Sequence, residues 1–285
     1  MLTIFAMLSI FKAFIFLVYA VLTQSLCNRG SLETATSRYI AAQSTGELGW
    51  LKTVLDPNAT YNENLVLLDI NNSTLSQPLK IDHIHTLVDT TLCATYSELI
   101  VTSMTNPHNI GVQIIFDTHG NISSINSIVT TIGDLYFSQY TPSHTLHQVF
   151  LEGWSNIAPE ARDTRAVIQA AADAYYDYLT NNSLPAPWGT PCTRIEGGSL
   201  TANGDCRDNL PNGAARTVDK RYVIDETVGA VDVISNFGGL GGDTHEFRIE
   251  GGKIVRIHSM TLCRGRSTFN CGLPMPDVLE QPISS

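Results

Sequence analysis

Two segments of the chain repeat their apolar residues at the spacing of one helix face. The clearer segment covers residues 165–179, where Asp163 can cap the start and Asn181 and Asn182 can end the helix. Residues 37–46 show the same helical spacing. The stripe of the clearer segment consists of Val167, Ile168, Ala171, Ala172, Tyr175 and Leu179. We therefore predict a helix in each half of the chain.

Downstream of each predicted helix, two strand-like runs are separated by a short turn that ends in glycine. Glycine at that position supplies the positive φ that tight hairpins require. The runs cover residues 112–116 and 122–131 around Gly120, and residues 245–250 and 253–263 around Gly252. Each half is therefore predicted to end in a β-hairpin within a meander of antiparallel strands.

The two halves match each other in register, which indicates an internal duplication. Tyr175 follows Tyr39 by 136 residues, and Asp225 follows Asp89 by the same interval. The hairpin turns are 132 residues apart, so the intervening loops differ by a few residues. We predict an α+β fold of two tandem cone-shaped domains, each with helices packed on a curved antiparallel sheet. Such a cone leaves a pocket in which a ligand would bind.

The predicted organisation has five parts. Between the halves, an aromatic and histidine-containing stretch lacks strong periodicity and is interpreted as a linker packed across both domains. A Pro-, Gly- and Asn-rich insertion covers residues 185–213 and contains two cysteines that a disulfide would tie together. In order, the parts are a signal peptide (1–25), a first α+β cone domain (26–137), the linker (138–160), a second α+β cone domain (161–273) and a disordered tail (274–285).

The N-terminus has the pattern of a secretory signal peptide. Residues 13–22 are an unbroken apolar run, Lys12 precedes them, and small residues of the kind that signal peptidase accepts end at Ser25. The alternative is a retained signal anchor, because apolar residues also precede Lys12. We predict cleavage near Ser25. The protein would then be secreted or lie in the lumen of the secretory pathway, without stable membrane insertion.

Two further patterns agree with export. Five Asn-X-Ser/Thr sequons would place their loops at a glycosylated surface, at Asn58, Asn71, Asn72, Asn121 and Asn181. The six cysteines are an even set that permits three disulfides in an oxidising compartment, namely Cys27, Cys93, Cys192, Cys206, Cys263 and Cys271. We predict a Cys27–Cys93 bridge because both residues lie in the first half, and the pairing of the last four stays open.

The charge balance argues against nucleic acid as a partner. The chain has 285 residues and a formal net charge of −10 at pH 7, and only 15% of its residues are charged. No basic field is therefore available to hold a phosphate backbone. With 43% hydrophobic residues, the chain is neither disordered nor polytopic. These totals leave the oligomeric state unknown.

Several runs of sequence carry a resemblance to known proteins. They are residues 80–83 (KIDH), 89–101 (DTTLCATYSELIV), 163–175 (DTRAVIQAAADAY), 187–192 (PWGTPC) and 245–252 (HEFRIEGG). Together they resemble a family of secreted filamentous-fungal proteins that is defined by a domain of unknown function. The order of elements in each half also resembles the nuclear-transport-factor-like cone of ketosteroid isomerases, scytalone dehydratase and SnoaL-type polyketide cyclases. These resemblances imply a fold and a source, but no reaction.

Motifs for common cofactors are missing. No GxGxxG, P-loop, HExxH or GxSxG motif is present, and we predict no cofactor. The glycine-rich run at residues 238–242 is interpreted as a loop that joins two strands. His83 and His85 share one side of a strand and could hold a metal with Asp89, but spacing sets no third ligand. We therefore predict no metal site.

The remaining chemistry is cofactor-free proton transfer in the pocket of the second cone. His245, Phe247 and Ile249 share one face of a strand, which places a histidine among apolar residues. The matching position in the first half is Val112, so only the second half has an ionisable group there. We predict that His245 is a general acid or base, oriented by Asp225. The other candidates are Arg194 or His258 to stabilise negative charge, Glu196 as the counterpart of Glu63, and Tyr175 and Phe247 to bind the ligand.

Three classes of function follow from these residues. The first is a cofactor-independent isomerase, cyclase or dehydratase that acts on a small apolar natural product by general acid–base catalysis. The alternatives are a non-catalytic secreted protein that binds a small molecule in the same cavity, and a cell-surface or host-interaction protein. We favour the enzyme, because desolvation in a pocket brings the pKa of a carboxylate or histidine toward neutrality. A fold of this type serves many functions, so the choice depends on the site.

Overall fold

The computed structural model describes residues 27–138, 140–263 and 271. The predicted signal peptide and the predicted tail lie outside these described residues. Two six-stranded sheets with their helices form two tandem α+β domains, which confirms the predicted fold class. In the described segments, no helix is long and apolar enough to cross a membrane.

The first half begins with two helices and continues as six strands. Asn28 caps the first helix by accepting a hydrogen bond from the Ser31 N–H, and Gly46 ends it in the left-handed conformation. The elements are α1 (Arg29–Thr45), α2 (Gly49–Lys52), β1 (Leu55–Glu63), β2 (Val66–Leu67), 3₁₀ turns at Ile70–Asn72 and Thr74–Ser76, β3 (His83–Asp89), β4 (Ala94–Val101), β5 (His108–Phe116) and β6 (Ile122–Thr130). The predicted first hairpin is therefore β5–β6.

The second half repeats this order of strands. Its long helix is capped by Thr164, whose side chain accepts from the Val167 N–H, one residue after the predicted cap. Asp163 instead accepts from the Gly252 N–H at 2.8 Å. The linker and the second half contain α3 (Thr141–Leu151), a 3₁₀ turn at Pro159–Ala161, α4 (Arg165–Thr180), β7 (Trp188–Glu196), β8 (Ser199–Gly204), β9 (Val218–Asp225), β10 (Ala230–Phe237), β11 (Gly241–Glu250) and β12 (Lys253–Thr261).

The two sheets have the same strand order. The first runs β2-β1-β6-β5-β4-β3 and the second β8-β7-β12-β11-β10-β9. Neighbouring strands are antiparallel, except that β1 and β6, and likewise β7 and β12, run parallel. Ser97 lies opposite Val112 in the first sheet, and Val233 lies opposite His245 in the second. The internal repeat therefore extends to individual residue pairs.

One face of each sheet is covered by the long helix of the same half, and the other face packs against the sheet of the other half. Tyr39 of α1 lies in the core of the first half, and Tyr175 of α4 lies in the core of the second. On the opposite faces, Leu87 and Tyr96 of the first sheet pack with Val223 of the second. The fold is thus a helix–sheet–sheet–helix arrangement. Successive residues of a central strand point alternately to a helix-facing core and to the sheet–sheet interface.

The linker contains a helix that its sequence pattern does not indicate. Val149 of α3 packs with Ile100 of β4 and with Ile195 and Leu200 of the second sheet. The linker therefore contacts both halves. The insertion at 185–213 contains β7 and β8, because β7 pairs with both β12 and β8.

Three disulfides join the six cysteines as Cys27–Cys93, Cys192–Cys206 and Cys263–Cys271. The first is the predicted pair, and it ties the start of α1 to the turn between β3 and β4. Three disulfides suggest an oxidising environment. The sequon asparagines are exposed at Asn58, Asn71, Asn72 and Asn181 and half-buried at Asn121.

Candidate functional site

The second half contains a cavity of about 340 Å³ next to α4 and the end of β10. This volume is in the range of small-molecule sites. Four residues with polar side chains contribute to its wall, namely Tyr136, Tyr175, Glu196 and Asn209. The wall is otherwise largely apolar and includes Leu135, Leu179, Leu210, Pro211, Phe237 and Leu240. The cavity therefore has a mainly apolar wall with a few polar groups.

A chain of hydrogen bonds leads from this wall into the core. The Tyr175 hydroxyl is 3.4 Å from His245 Nε2, and His245 Nδ1 is 2.6 Å from Asp243 Oδ2. Because Asp243 is an acceptor, the proton on the imidazole is assigned to Nδ1, and Nε2 accepts from Tyr175. Burial raises the pKa of Tyr175, so its phenol is protonated. The three residues form a potential proton relay.

His245 is the inner member of this relay and does not line the cavity. Its side chain is 1% exposed, and Tyr175 lies between it and the cavity wall. Asp243 orients it from the same strand, two residues earlier, as the alternation of β11 allows. Phe247 packs against Tyr175 with ring centroids 5.1 Å apart, so it supports the relay from within the core.

Glu196 provides the carboxylate of the cavity, and Arg194 holds it. Arg194 Nε donates to Glu196 Oε2 at 3.0 Å and to Thr201 Oγ1 at 3.0 Å. Its terminal nitrogens donate to the backbone carbonyls of Cys206 and Asp208. These bonds occupy the guanidinium, which is 1% exposed. Arg194 therefore anchors Glu196 and the insertion, and the predicted role of stabilising negative charge on a ligand does not fit its position.

Asp225 does not orient His245 as predicted, because its carboxylate binds groups of the first half instead. Its Oδ1 accepts from Arg29 Nη2 at 2.6 Å, and its Oδ2 accepts from the Val88 N–H at 2.9 Å. The backbone N–H groups of Thr227 and Val228 also donate to Oδ1. Asp225 therefore joins the two halves and closes the turn after β9. A polar cleft of about 360 Å³ borders it, but these donors already engage the carboxylate.

His258 is likewise absent from the cavity, because it points into the sheet–sheet interface. Its Nδ1 lies 3.2 Å from both carboxylate oxygens of Glu98, and its Nε2 lies 2.7 Å from Glu152 Oε2. Burial acts to lower the pKa of His258, but the charges of Glu98 and Glu152 outweigh it and raise that pKa well above its ordinary value. Burial acts to raise the pKa of Glu98, and His258 reverses the direction.

Two further ionisable residues, His85 and Glu246, lie beside His258 and Glu98. His85 Nε2 is 3.0 Å from Glu246 Oε1. Within the described chain, neither carboxylate oxygen of Glu246 has a hydrogen-bond donor, since the His85 contact lacks hydrogen-bond geometry. Trp154 packs on His85 at 4.6 Å and on His258 at 5.5 Å between ring centroids. We name His85, Glu98, Glu246 and His258 the His–Glu cluster.

The His–Glu cluster contains residues that could hold a metal ion. One ligand atom from each of Glu98, Glu246 and His258 lies within 4.8 Å of the other two. The trio considered from the sequence does not assemble, because Arg165 binds Asp89 at 2.8 and 2.6 Å. His83 instead packs edge-on against Phe150.

Sequence reasoning missed Asp243, Glu98, Glu246 and Glu152. Asp243 could have been found from the sequence, because it lies two residues before His245 on a predicted strand, and residues two apart on a strand share a face. Glu98 and Glu246 also carried a signal, since each is a carboxylate inside a strand whose neighbours are buried. Glu152 had none, because its position depends on the fold of the linker.

Comparison with protein families gives a match in the second half. Residues 161–261 match the model of a family described as a domain of unknown function (DUF8021). No curated protein matches the chain. The matched range contains Tyr175, Glu196, Asp243 and His245, together with two members of the His–Glu cluster. The second half of the chain is therefore similar to a family defined by a domain of unknown function.

Proposed function

We propose that the second-half cavity binds a small apolar molecule and catalyses cofactor-independent proton transfer on it, as an isomerase, cyclase or dehydratase. The observation that carries this proposal is the chain Asp243–His245–Tyr175, which ends at the cavity wall. A buried relay that reaches an apolar cavity can move a proton to or from a ligand without bulk water.

The relay removes a substrate proton in one concerted step. The Tyr175 oxygen receives that proton while the hydroxyl proton of Tyr175 passes to His245 Nε2. The resulting imidazolium stays paired with Asp243. Because burial raises the pKa of Tyr175, a route that avoids a free tyrosinate is favoured. Return of the proton to another carbon completes an isomerisation, and its return to a departing hydroxyl completes a dehydration.

Glu196 supplies the second polar contact for the ligand. Its carboxylate lines the cavity, and the bond from Arg194 Nε fixes its orientation. A carboxylate accepts hydrogen bonds only, so we expect it to bind a hydroxyl group of the substrate. An acceptor on one side and a phenol on the other would hold a small oxygenated ring between them.

We also infer that the protein is secreted after cleavage near Ser25. The apolar N-terminal run, the sequons and the three disulfides support this inference. The resemblance to secreted filamentous-fungal proteins supports a fungal source.

Deuterium exchange tests proton transfer without knowledge of the natural substrate. Cyclohexanone and β-tetralone are incubated with the protein in D₂O, and NMR follows the loss of the protons next to the carbonyl. The variants are Tyr175→Phe and His245→Gln. Tyr176→Phe is the matched control, because Tyr176 is a buried neighbour whose hydroxyl has no hydrogen-bond partner in the described chain and does not line the cavity.

We expect exchange above the buffer rate with the wild type and with Tyr176→Phe. Tyr175→Phe and His245→Gln should lower the protein-dependent rate by about 10² or more. Circular dichroism checks that both variants stay folded. If β-tetralone binds but exchanges at the buffer rate, the protein is a binder, and the catalytic proposal is wrong.

A further inference from the structure

We propose that Glu98, Glu246 and His258 bind a divalent first-row transition-metal ion between the two sheets, with His85 beside Glu246 as the fourth group. The three ligand atoms lie within 4.8 Å of one another, and all three residues are buried. Glu98 belongs to the first half, whereas Glu246 and His258 belong to the second. The ion would therefore link the two halves.

Glu246 supplies the strongest indication of a missing partner. Its side chain is 0% exposed, and neither of its carboxylate oxygens has a hydrogen-bond donor in the described chain. His85 Nε2 also lacks a hydrogen bond, although it lies 3.0 Å from Glu246 Oε1. A buried carboxylate without donors is costly, and a bound cation removes that cost.

The surroundings of His258 match those of a ligating histidine. Its Nδ1 faces the cluster, and its Nε2 lies 2.7 Å from Glu152 Oε2. Thr193 Oγ1 donates to the other oxygen of Glu152 at 3.0 Å and holds it in place. An imidazole that donates its outer N–H to a carboxylate has its tautomer fixed and its inner nitrogen free to bind a metal. Trp154 covers both imidazoles of the cluster and limits access of water.

The internal repeat offers a natural comparison for the cluster. Strand pairing makes Arg221, Ile234, Gln113 and Asn126 the counterparts of His85, Glu98, Glu246 and His258, respectively. At the counterpart positions, Arg221 Nη1 donates to Asn126 Oδ1 at 2.7 Å, and Gln113 Nε2 donates to Asp232 Oδ2 at 2.6 Å.

On that side the interface thus packs with two amides, one arginine and the carboxylate of Asp232, and each of these groups has a hydrogen-bond partner. The same backbone geometry therefore does not require two histidines and two glutamates. Their presence on one side only is a property of the site, and we attribute it to ligand binding.

The donor set selects the class of metal. Imidazole nitrogen together with carboxylate oxygen suits Zn²⁺ and its neighbours in the first transition row. Calcium and magnesium prefer sites built from oxygen alone. The cluster lies on the face of β11 opposite to His245, so this site is separate from the cavity of the proposed enzyme.

Zinc binding by the folded protein tests the proposal. The chain is treated with a chelator, dialysed and titrated with Zn²⁺, and bound metal is measured by elemental analysis alongside the melting temperature. Glu246→Gln and His258→Asn install the residues found at the counterpart positions, which the fold already accommodates. Glu250→Gln is the matched control, because Glu250 is an exposed carboxylate on the same strand.

We expect one zinc ion per chain and a higher melting temperature with zinc for the wild type and for Glu250→Gln. Glu246→Gln and His258→Asn should stay folded by circular dichroism and bind zinc at least ~100-fold more weakly, and Glu152→Gln about 10-fold more weakly. The proposal is overturned if the wild type takes up no stoichiometric zinc, if the cluster variants bind it equally well, or if calcium binds more tightly. In each of those cases the cluster is an ion-pair network of carboxylates and protonated imidazoles.

Discussion

Asp89 and Asp225 each reach across the boundary between the two halves to the strand that carries the other. Asp89 Oδ2 accepts from the Ile224 N–H at 2.9 Å, and Asp225 Oδ2 accepts from the Val88 N–H at 2.9 Å. The two contacts are equivalent under the internal repeat. The aspartate that marks the repeat in the sequence is therefore a residue of the interface.

The arginines at the starts of the two long helices, Arg29 and Arg165, also bind across the boundary between the halves. Arg165 donates to both oxygens of Asp89 at 2.8 and 2.6 Å, and Arg29 donates to Asp225 at 2.6 Å. Each ion pair thus joins a helix of one half to a strand of the other. The halves are related as the subunits of a symmetric dimer would be.

Asp89→Asn should destabilise the protein by about 2–4 kcal/mol, because it leaves Arg165 without its bidentate partner and replaces one of the two oxygens that accept from backbone N–H groups. Urea denaturation measures the change. Asp205→Asn is the control, since Asp205 forms an exposed pair with Arg207, and we expect no measurable effect from it. Equal stability of the two variants would contradict the structural role of Asp89.

Gly111→Ala should lower the free energy of unfolding by about 1–3 kcal/mol through overpacking of the sheet–sheet interface. A Cβ at this position would lie 2.5 Å from Thr244 Cγ2 and 3.1 Å from the Tyr96 hydroxyl. Adding Thr244→Ser removes the clashing methyl group and should restore most of the loss. Gly153→Ala meets nothing within 4 Å and should be neutral. Failure of the double variant to recover stability would locate the strain elsewhere.

Loss of the Cys27–Cys93 bridge should cost more than loss of the Cys192–Cys206 bridge. The first closes 66 residues and the second 14. Chain entropy predicts about 4 kcal/mol for the longer loop and about 3 kcal/mol for the shorter. Paired substitutions to alanine, compared by urea denaturation, measure the difference. The reverse order would mean that packing of the buried Cys192 and Cys206 sulfurs outweighs loop entropy.

Ionisation of the buried tyrosines should occur only when the protein unfolds at high pH. Burial raises the pKa of Tyr39, Tyr61, Tyr175 and Tyr176 above the ordinary value of 10.0. An acid whose pKa is raised by folding stabilises the native state below its unfolded-state pKa, and this contribution is lost as pH rises above about 10. Ultraviolet absorbance should show these tyrosines ionising in one cooperative step that coincides with loss of circular dichroism. A single smooth titration in the folded protein would contradict the burial of these rings.

Local patterns were sufficient for the elements that lie at a surface. The stripe on residues 165–179 predicted α4, because a helix with one exposed face alternates apolar and polar residues with a period of 3.6. The glycines of the hairpin turns predicted β5–β6 and β11–β12, because a positive φ is a local requirement. Helix α3 was not predictable in this way, since its contacts come from both halves.

The sequence alone predicted that the chain is two copies of one α+β pattern, that Cys27 pairs with Cys93, and that the candidate residues Tyr175, Glu196 and His245 lie in the second copy. Only the tertiary structure decided which side chains meet across the two faces of each sheet. Both faces of β4 and β11 are buried, one against a helix and one against the other sheet, so polar alternation does not distinguish them. For that reason Glu98 and Glu246 belong to the interface, whereas Asp243 orients His245.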